Sequence, residues 1–433
     1  MRAFTEPLTQ LQGYEELEQA VQKTEGVILV SGCIDAVKPH IVYSVHNGSG
    51  NRIIVTFHEQ KAKELLEEYR FFDKNVAYYP AKDILFYQSD IRGNVLTSER
   101  INALKMMAEE KECTIITTFD GLMNPMPAPE KFIQAVKKIS VGDTVELNGL
   151  TRHLVELGYE KNYQAETMGE FSVRGGIIDI FPLTEETPFR IELWGDEVDS
   201  IRTFDVESQR SIENLMDIVI YPAVEFPQNG EKGVSFLDYF PPEDTILFLD
   251  EPVRLVERGQ NIEDEFMEAQ KKRLESGYDL EEEEAKIFPV TEILKKINCY
   301  SSIGFYALGM KCKGLEVRES YEIQAKSVNP YNNSFEMLTQ DLKRLKRNGY
   351  RVILLSGSRT RAKRLAEDLR DYNLSSYYSE DLDREVKPGE IMTAYGYIAE
   401  GYEYPMLKFT VIAESDIFGK RKKKKKRKQK ISY

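Results

Sequence analysis

Residues 170–210 have the sequence EFSVRGGIIDIFPLTEETPFRIELWGDEVDSIRTFDVESQR. Apolar and polar residues alternate along much of this stretch, and Gly and Pro interrupt the alternation at intervals. Alternation with period two is typical of strands that bury one face of a sheet. We therefore predict that the stretch forms a three-stranded β-meander with a seven-residue loop and one tight turn.

One face of the predicted meander is unusual. In residues 189–194, apolar residues alternate with Arg190, Glu192 and Trp194, the last being the one tryptophan of the chain. The apolar set is expected to face the core and the second set to face outward. Because Arg and Trp are enriched at the energetic centres of protein interfaces, the pattern favours a binding surface. The alternative is that Trp194 folds over its own sheet edge and the arginines pair with nearby carboxylates.

The flanking residues complete this prediction. Gly195-Asp196 should form a tight turn, because glycine tolerates the positive φ that such turns need. Gly175-Gly176, which follow Arg174, are interpreted as a bulge or a sharp bend in one strand. The next strand should return to the core with the three apolar residues Val198, Ile201 and Phe204.

Outside the meander, the chain alternates strand-like and helix-like segments. Short β-branched runs such as GVILVS at 26–31 are typical of buried parallel strands. Ser98 is interpreted as the N-cap of a helix. The predicted fold class is α/β: a degenerate RecA-like (P-loop-type) domain interrupted by an α+β domain, then a second small α/β domain and a basic linker. The predicted boundaries are 1–133 and 222–326 for the two parts of the first domain, 134–221 for the insert, 327–419 for the small domain and 420–433 for the linker.

Composition narrows the possible partners. The 433 residues carry a net charge of −14, and ten of the 58 basic residues lie in Lys420–Lys430, so the rest of the chain is at −14 − 10 = −24. A body this acidic is not a nucleic-acid surface by default. The basic run is either a solvated tether or a contact with DNA. A chain that stops after such a run is expected to be a fragment of a longer protein.

The same composition predicts a cytoplasmic protein. Four cysteines and four histidines show no metal-ligand spacing, so no metal site is expected. The beginning of the chain has no secretion signal, and no apolar run approaches membrane-spanning length, so we expect neither export nor a membrane partner. Nothing in the sequence predicts an oligomer, and a monomer is expected.

The segment after the first strand is where a nucleotide site would lie. A phosphate-binding loop needs glycines that free the backbone N–H groups, a lysine and a Ser or Thr. Gly32 is present, but the Gly-Lys-Ser/Thr ending is absent, and Asp35 would repel phosphate. Asp250 and Glu251 follow an apolar strand like a metal-binding carboxylate pair, but such a pair holds Mg²⁺ only with phosphates. We predict a decayed nucleotide site, no catalytic residue and no cofactor.

The run VRGGIIDIFP followed by FRIELWGDEVDSIRTFD resembles the UvrA-interaction domain shared by UvrB and the transcription-repair coupling factors. The following VESQR at 206–210 favours the coupling factors, as do GYEYP at 401–405, DIFG at 416–419 and the Tyr79-Pro80 and Ser98-Glu99-Arg100 segments. UvrB would require an intact phosphate loop and a long aromatic DNA-clamping hairpin after residue 80, and neither is present.

The resemblance implies that the chain is the UvrB-like N-terminal module of such a factor. Its UvrA-contacting positions are Arg174, Arg190 and Trp194, with Glu192 on the same face. ATP and Mg²⁺ would serve motor domains elsewhere in the full-length protein, a DNA translocase that also binds RNA polymerase and double-stranded DNA. The C-terminal domain of the family masks the UvrA-binding surface. The rival interpretation is a nucleotide-dependent, UvrB-type helicase subunit of excision repair.

Overall fold

The protein is described by a computed structural model that covers residues 1–23, 25–45, 50–82, 90–109, 112–224, 233–276, 287–307 and 312–419. The basic run 420–430 and an acidic run at 279–284, predicted to extend a helix, lie outside these residues. In the described part, no helix is long and apolar enough to cross a membrane.

The strands of the described residues, in chain order, are β1 Gly26–Ser31, β2 Asn51–Thr56, β3 Val76–Tyr79, β4 Thr114–Thr118, β5 Lys137–Ser140, β6 Glu160–Lys161, β7 Glu170–Arg174, β8 Ile177–Ile180, β9 Phe189–Trp194, β10 Glu197–Phe204, β11 Ser211–Leu215, β12 Asp217–Ile220, β13 Thr245–Asp250, β14 Ser301–Tyr306, β15 Val317–Glu322, β16 Lys326–Ser327, β17 Arg351–Ser356, β18 Tyr377–Tyr378, β19 Ile391–Tyr395, β20 Tyr402–Tyr404 and β21 Phe409–Ile412. The α-helices are α1 Arg2–Leu8, α2 Tyr14–Gln22, α3 Lys38–Ser44, α4 Glu59–Tyr69, α5 Asp90–Glu109, α6 Phe119–Met123, α7 Pro129–Ala135, α8 Leu147–Glu156, α9 Pro252–Glu275, α10 Val290–Ile297, α11 Phe335–Arg347, α12 Arg359–Asp371 and α13 Glu414–Phe418.

The first sheet has seven parallel strands in the order β15-β1-β14-β13-β2-β4-β3. Strands β1–β4 precede the insert in the chain and β13–β15 follow it, so one sheet is built from two separated segments. Parallel strands need crossover connections, which helices such as α4 provide. The predicted class, an α/β domain that an α+β insert interrupts, is confirmed.

The insert leaves and re-enters this domain through an antiparallel pair, β5 with β12. Its main sheet has six strands in the order β11-β10-β9-β8-β7-β6. The prediction of a three-stranded meander is wrong, because residues 170–204 hold the four antiparallel strands β7–β10. The strand that we missed arises because Gly175-Gly176 are not a bend. They form a two-residue loop, with Arg174 paired to Ile177.

A third sheet, in the order β16-β20-β21-β17-β19-β18, forms the last α/β unit. The insert and this unit pack on opposite faces of the first sheet, because alternate residues of its strands belong to two different cores. The core on the insert side includes Val27, Ile53, Val55, Ile115, Leu247 and Leu249. The core on the other side joins the first sheet to the last unit and includes Ile28, Val30, Ile54, Phe248, Ile353 and Phe409.

Ser98 is not the N-cap that its residue type suggested. It lies inside α5, which begins at Asp90. Its hydroxyl donates a hydrogen bond of 2.7 Å to the carbonyl oxygen of Leu183, in the insert. A serine within a helix is tolerated when its hydroxyl has such a partner, and here the bond ties the helix to the insert.

Candidate protein-interaction face

The residues singled out by sequence lie together on the outer surface of the insert sheet, which we call the outer face. On β9, Phe189 and Ile191 are buried, whereas Arg190 and Glu192 lie on the opposite side. The cross-strand neighbours of Arg190 are Asp179 on β8 and Arg202 on β10. The predicted alternation is therefore confirmed, and it places charged side chains from three strands side by side.

Trp194 projects into solvent. Its side chain is 84 % exposed at the end of β9. It pairs with Glu197 across the Gly195-Asp196 turn, where Gly195 has a φ of 65°. The predicted turn is confirmed, and the alternative in which the tryptophan folds over its own sheet edge is wrong. An indole held this far into water by a tight turn is a large apolar surface without a cover.

Arg190 is held rather than free. Its Nε donates to Asp179 Oδ1 at 2.7 Å, and its Nη2 donates to Asp179 Oδ2 at 2.8 Å. Arg174 Nη2 donates to the same Oδ2, also at 2.8 Å. The arginine side chains differ in exposure, at 11 % for Arg190 and 37 % for Arg174. The alternative in which the arginines pair with a nearby carboxylate is thus correct for their contacts, and it leaves Arg174 within reach of a partner.

Two further residues fix Arg190. The ring of Phe204 lies under its guanidinium group, with the carbon Cζ 4.1 Å from the ring centre. Phe204 was expected to return to the core, and it is buried, but this arginine covers it. Gln209 Oε1 accepts a hydrogen bond of 2.8 Å from Arg190 Nη2. Gln209 lies in the 206–210 segment, so the motif that favoured the coupling factors supports the arginine.

Glu192 forms a second pair on the outer face. Its Oε1 accepts from Arg202 Nη2, and its Oε2 accepts from Ser200 at 3.3 Å. The hydrogen bond from Arg202 lowers the pKa of Glu192 below its usual value, against a smaller opposing effect of burial. Glu192 is therefore ionised and paired at neutral pH. With Arg174, Arg190 and Asp179, the face holds three guanidinium groups and two carboxylates, a net charge of +1.

The predicted nucleotide-site residues serve structural roles. Gly32 has a φ of +76°, and a Cβ there would lie 2.6 Å from the carbonyl oxygen of Ile323. This glycine allows a close backbone approach. Glu251 also has a positive φ, 58°, and its carboxylate accepts from the N–H of Ala307 at 3.3 Å. Neither contact leaves these residues arranged around a phosphate.

Asp250 is occupied by a residue that the sequence reasoning missed. Lys38 Nζ lies 2.6 Å from Asp250 Oδ1, and both side chains are at most 5 % exposed. Thr56 donates to the other oxygen of Asp250 at 2.9 Å. Burial would lower the pKa of Lys38, but the carboxylates of Asp250 and Asp35 outweigh it and raise that pKa. The lysine ammonium thus lies where the carboxylate would otherwise meet a cation. A lysine directly after the first strand was the available signal.

The other motifs of the resemblance also stabilise the fold. Arg100 is buried, donates to the carbonyl oxygen of Pro80 and stacks 4.1 Å from the ring centre of Tyr79. Asp416 accepts from the N–H of Gly401 at 2.9 Å, and a Cβ at Gly401 would lie 2.4 Å from that carboxylate. Both motifs join segments that are distant in the chain.

Comparisons with known proteins agree with this arrangement. Residues 138–226 match the family model of the UvrB interaction domain. These residues include every member of the outer face. A hypothetical ATP-dependent RNA helicase from Sulfolobus tokodaii gives a TM-score of 0.26 at 11 % identity, over 91 % of this chain and 78 % of that one, which is too low to bear on the fold.

Two curated relatives extend the similarity to most of the chain. The transcription-repair-coupling factor of Bacillus subtilis (strain 168) is 26 % identical over 418 residues, 83 % of this chain and 35 % of that protein. That of Staphylococcus haemolyticus (strain JCSC1435) is 24 % identical over 473 residues, covering 93 % and 39 %. The chain thus spans less than two fifths of either relative. The resemblance inferred from sequence is confirmed: the chain is similar to the N-terminal portion of these proteins.

Proposed function

We propose that this chain is the UvrA-recruiting N-terminal module of a transcription-repair-coupling factor and performs no catalysis of its own. The observation that carries the proposal is Trp194, 84 % exposed beside an organised arginine cluster, within the segment that matches the UvrB interaction domain. In this role, Trp194 enters an apolar site on UvrA, and Arg174 offers its free donors to an acceptor there.

The proposal extends to the whole protein that such a module would serve. That protein releases stalled RNA polymerase in the bacterial cytoplasm with an ATP- and Mg²⁺-dependent motor on double-stranded DNA. It then passes the lesion to nucleotide excision repair through UvrA. Its C-terminal domain masks the outer face until recruitment. The similarity to coupling factors, and not to this chain's own chemistry, supports these steps.

Trp194→Ala is expected to weaken UvrA binding by on the order of 2 kcal/mol or more, about thirtyfold in Kd. The reason is that an exposed indole contributes large contact area when a partner covers it. Isothermal titration of the purified chain with UvrA measures the change. Tyr163→Ala is the matched control, because Tyr163 is also 84 % exposed and lies in the same insert.

Equal losses in the two variants would indicate non-specific aromatic stickiness, and no loss in Trp194→Ala would remove Trp194 from the interface. A wild-type chain that does not bind UvrA at all would overturn the proposed function. Neither substitution should change the melting temperature, because both side chains are solvated in the folded chain.

Titration of the wild-type chain with Mg-ATP is expected to give no saturable heat up to millimolar nucleotide. Lys38 already neutralises Asp250, and Gly32 is packed against the backbone at Ile323. Saturable micromolar binding would favour the rival, a nucleotide-dependent UvrB-type subunit. The wild-type protein is the right probe, because removal of Asp250 would disturb a buried ion pair and lower stability whether or not nucleotide binds.

A further inference from the structure

The outer face has a centre that a partner cannot touch. Asp179 is only 2 % exposed, and it lies on β8 between the strand of Arg174 and the strand of Arg190. Its two carboxylate oxygens accept three hydrogen bonds from these two guanidinium groups, at 2.7 to 2.8 Å. A residue this enclosed can influence binding only through the side chains that it holds.

We propose that Asp179 is a positioning residue for partner docking: its buried carboxylate fixes the guanidinium groups of Arg174 and Arg190 before UvrA arrives. This inference rests on the proposed function. It assigns a role to a residue that the sequence pattern placed only as an acid inside the apolar run IIDIF.

The two arginines depend on Asp179 to different degrees. Arg190 is also supported by Gln209 and by the ring of Phe204. For Arg174, Asp179 is the acceptor that the described residues provide. An arginine side chain has many rotamers, and ordering it at the moment of binding weakens affinity. Asp179 removes that entropy loss in advance, chiefly for the arginine that is more exposed.

The charge of the face follows from the same contacts. Arg190 and Arg202 are cross-strand neighbours, an unfavourable arrangement for two like charges. Asp179 offsets the first and Glu192 the second, so the arginines can lie side by side. Arg174 shares a carboxylate that Arg190 already holds with two hydrogen bonds, and it therefore carries the uncompensated positive charge. The partner group that fits beside it is a carboxylate.

Asp179→Asn tests the proposal with almost no change in shape. The amide cannot accept at both atoms, and its NH₂ group faces guanidinium donors. The expected result is a Kd for UvrA weaker by roughly tenfold, as expected when two side chains must be ordered during binding. Asp199→Asn is the matched control, because Asp199 is an exposed carboxylate on β10 of the same sheet and should leave Kd unchanged.

A double-mutant cycle separates positioning from direct contact and from general damage to the fold. In a chain that already carries Arg174→Ala and Arg190→Ala, Asp179→Asn should cost nothing further, because the groups that it positions are gone. A further loss of equal size in that background would overturn the proposal. Gln209→Ala, in a surface turn, is the second variant. It should weaken binding by a smaller factor, and only when Arg190 is present.

Nitrogen-detected NMR of the arginine side chains gives a readout that does not need UvrA. In the wild-type chain, the Arg190 Nε–H should be rigid and protected from exchange, and Asp179→Asn should abolish both properties. If the wild-type chain does not bind UvrA, the proposed function and this inference fail together. If it binds and Asp179→Asn binds equally well, this inference alone is overturned.

Discussion

Lys38→Met is expected to lower the free energy of unfolding by about 3–5 kcal/mol, because it leaves a buried carboxylate without its charge partner. Asp250 is only 3 % exposed, and after the substitution it retains the Thr56 hydroxyl as its side-chain donor. Desolvated charges without a partner are among the most destabilising features of a folded chain. Chemical unfolding followed by circular dichroism at pH 7 measures the effect.

Two variants give this experiment its controls. Lys61→Met removes a lysine whose partner, Asp35, is 63 % exposed, and it should change stability by less than about 1 kcal/mol. The double variant Lys38→Met/Asp250→Leu removes both buried charges and should regain most of the loss, because apolar replacement of a buried pair is often near neutral. If Lys38→Met were as stable as wild type, the pair would not be what fills this site.

The His40→Gln variant is expected to lose much of the acid sensitivity of the wild-type chain between pH 6.5 and 4. His40 is fully buried, and burial lowers its pKa from 6.5 to about 4, although a hydrogen bond with the Phe4 carbonyl opposes the shift. Its Nε2 lies 2.9 Å from the Phe4 oxygen, and its Nδ1 lies 3.0 Å from the Tyr404 hydroxyl. A carbonyl only accepts, so Nε2 carries the proton and Nδ1 accepts from Tyr404.

The sign of the effect follows from the direction of the shift. The unfolded chain binds a proton at His40 near pH 6.5, whereas the folded chain does so only near pH 4. The stability that neutral His40 contributes is therefore complete above pH 6.5 and is lost as the pH falls, by about 1.4 kcal/mol per pH unit, until the folded pKa is reached. Glutamine keeps one donor and one acceptor but does not titrate.

The measurement is the difference between the two variants' unfolding free energies as a function of pH. Glu68 acts in the opposite direction, because burial raises its pKa to about 7 and its contribution is lost as the pH rises. That contribution is common to both chains and cancels in the difference. Parallel curves for wild type and His40→Gln would show that His40 is not the group that responds to acid. His40→Gln should leave UvrA binding unchanged at neutral pH.

Local periodicity was enough to find most strands. Gly26–Ser31 and Val76–Tyr79 were predicted with the bounds that the structure has. The outward direction of Trp194 followed from alternation with period two, because a strand has only two faces. The β7–β8 hairpin was missed for a local reason as well, since two glycines are compatible with a bulge, a bend or a two-residue loop. Only the pairing of Arg174 with Ile177 distinguishes them.

The positioning of the outer-face arginines was beyond the sequence. Asp179 is five residues from Arg174 but eleven from Arg190, and the Phe204 ring and the Gln209 amide come from still later segments. Whether an arginine is free or held depends on which carboxylate the register of three strands brings beside it. The sequence predicted the composition of the face, but not which of its charges are already paired.

The amino-acid sequence by itself determined the strands, the interrupted α/β order, the exposed indole and the loss of the phosphate loop. These depend on neighbours in the chain, whose spacing fixes which face a side chain takes. The tertiary structure alone decided that Lys38 meets Asp250, 212 residues away, and that the last α/β unit shares a core with the first sheet. Such contacts depend on burial between distant segments, and no local pattern records which segments become neighbours.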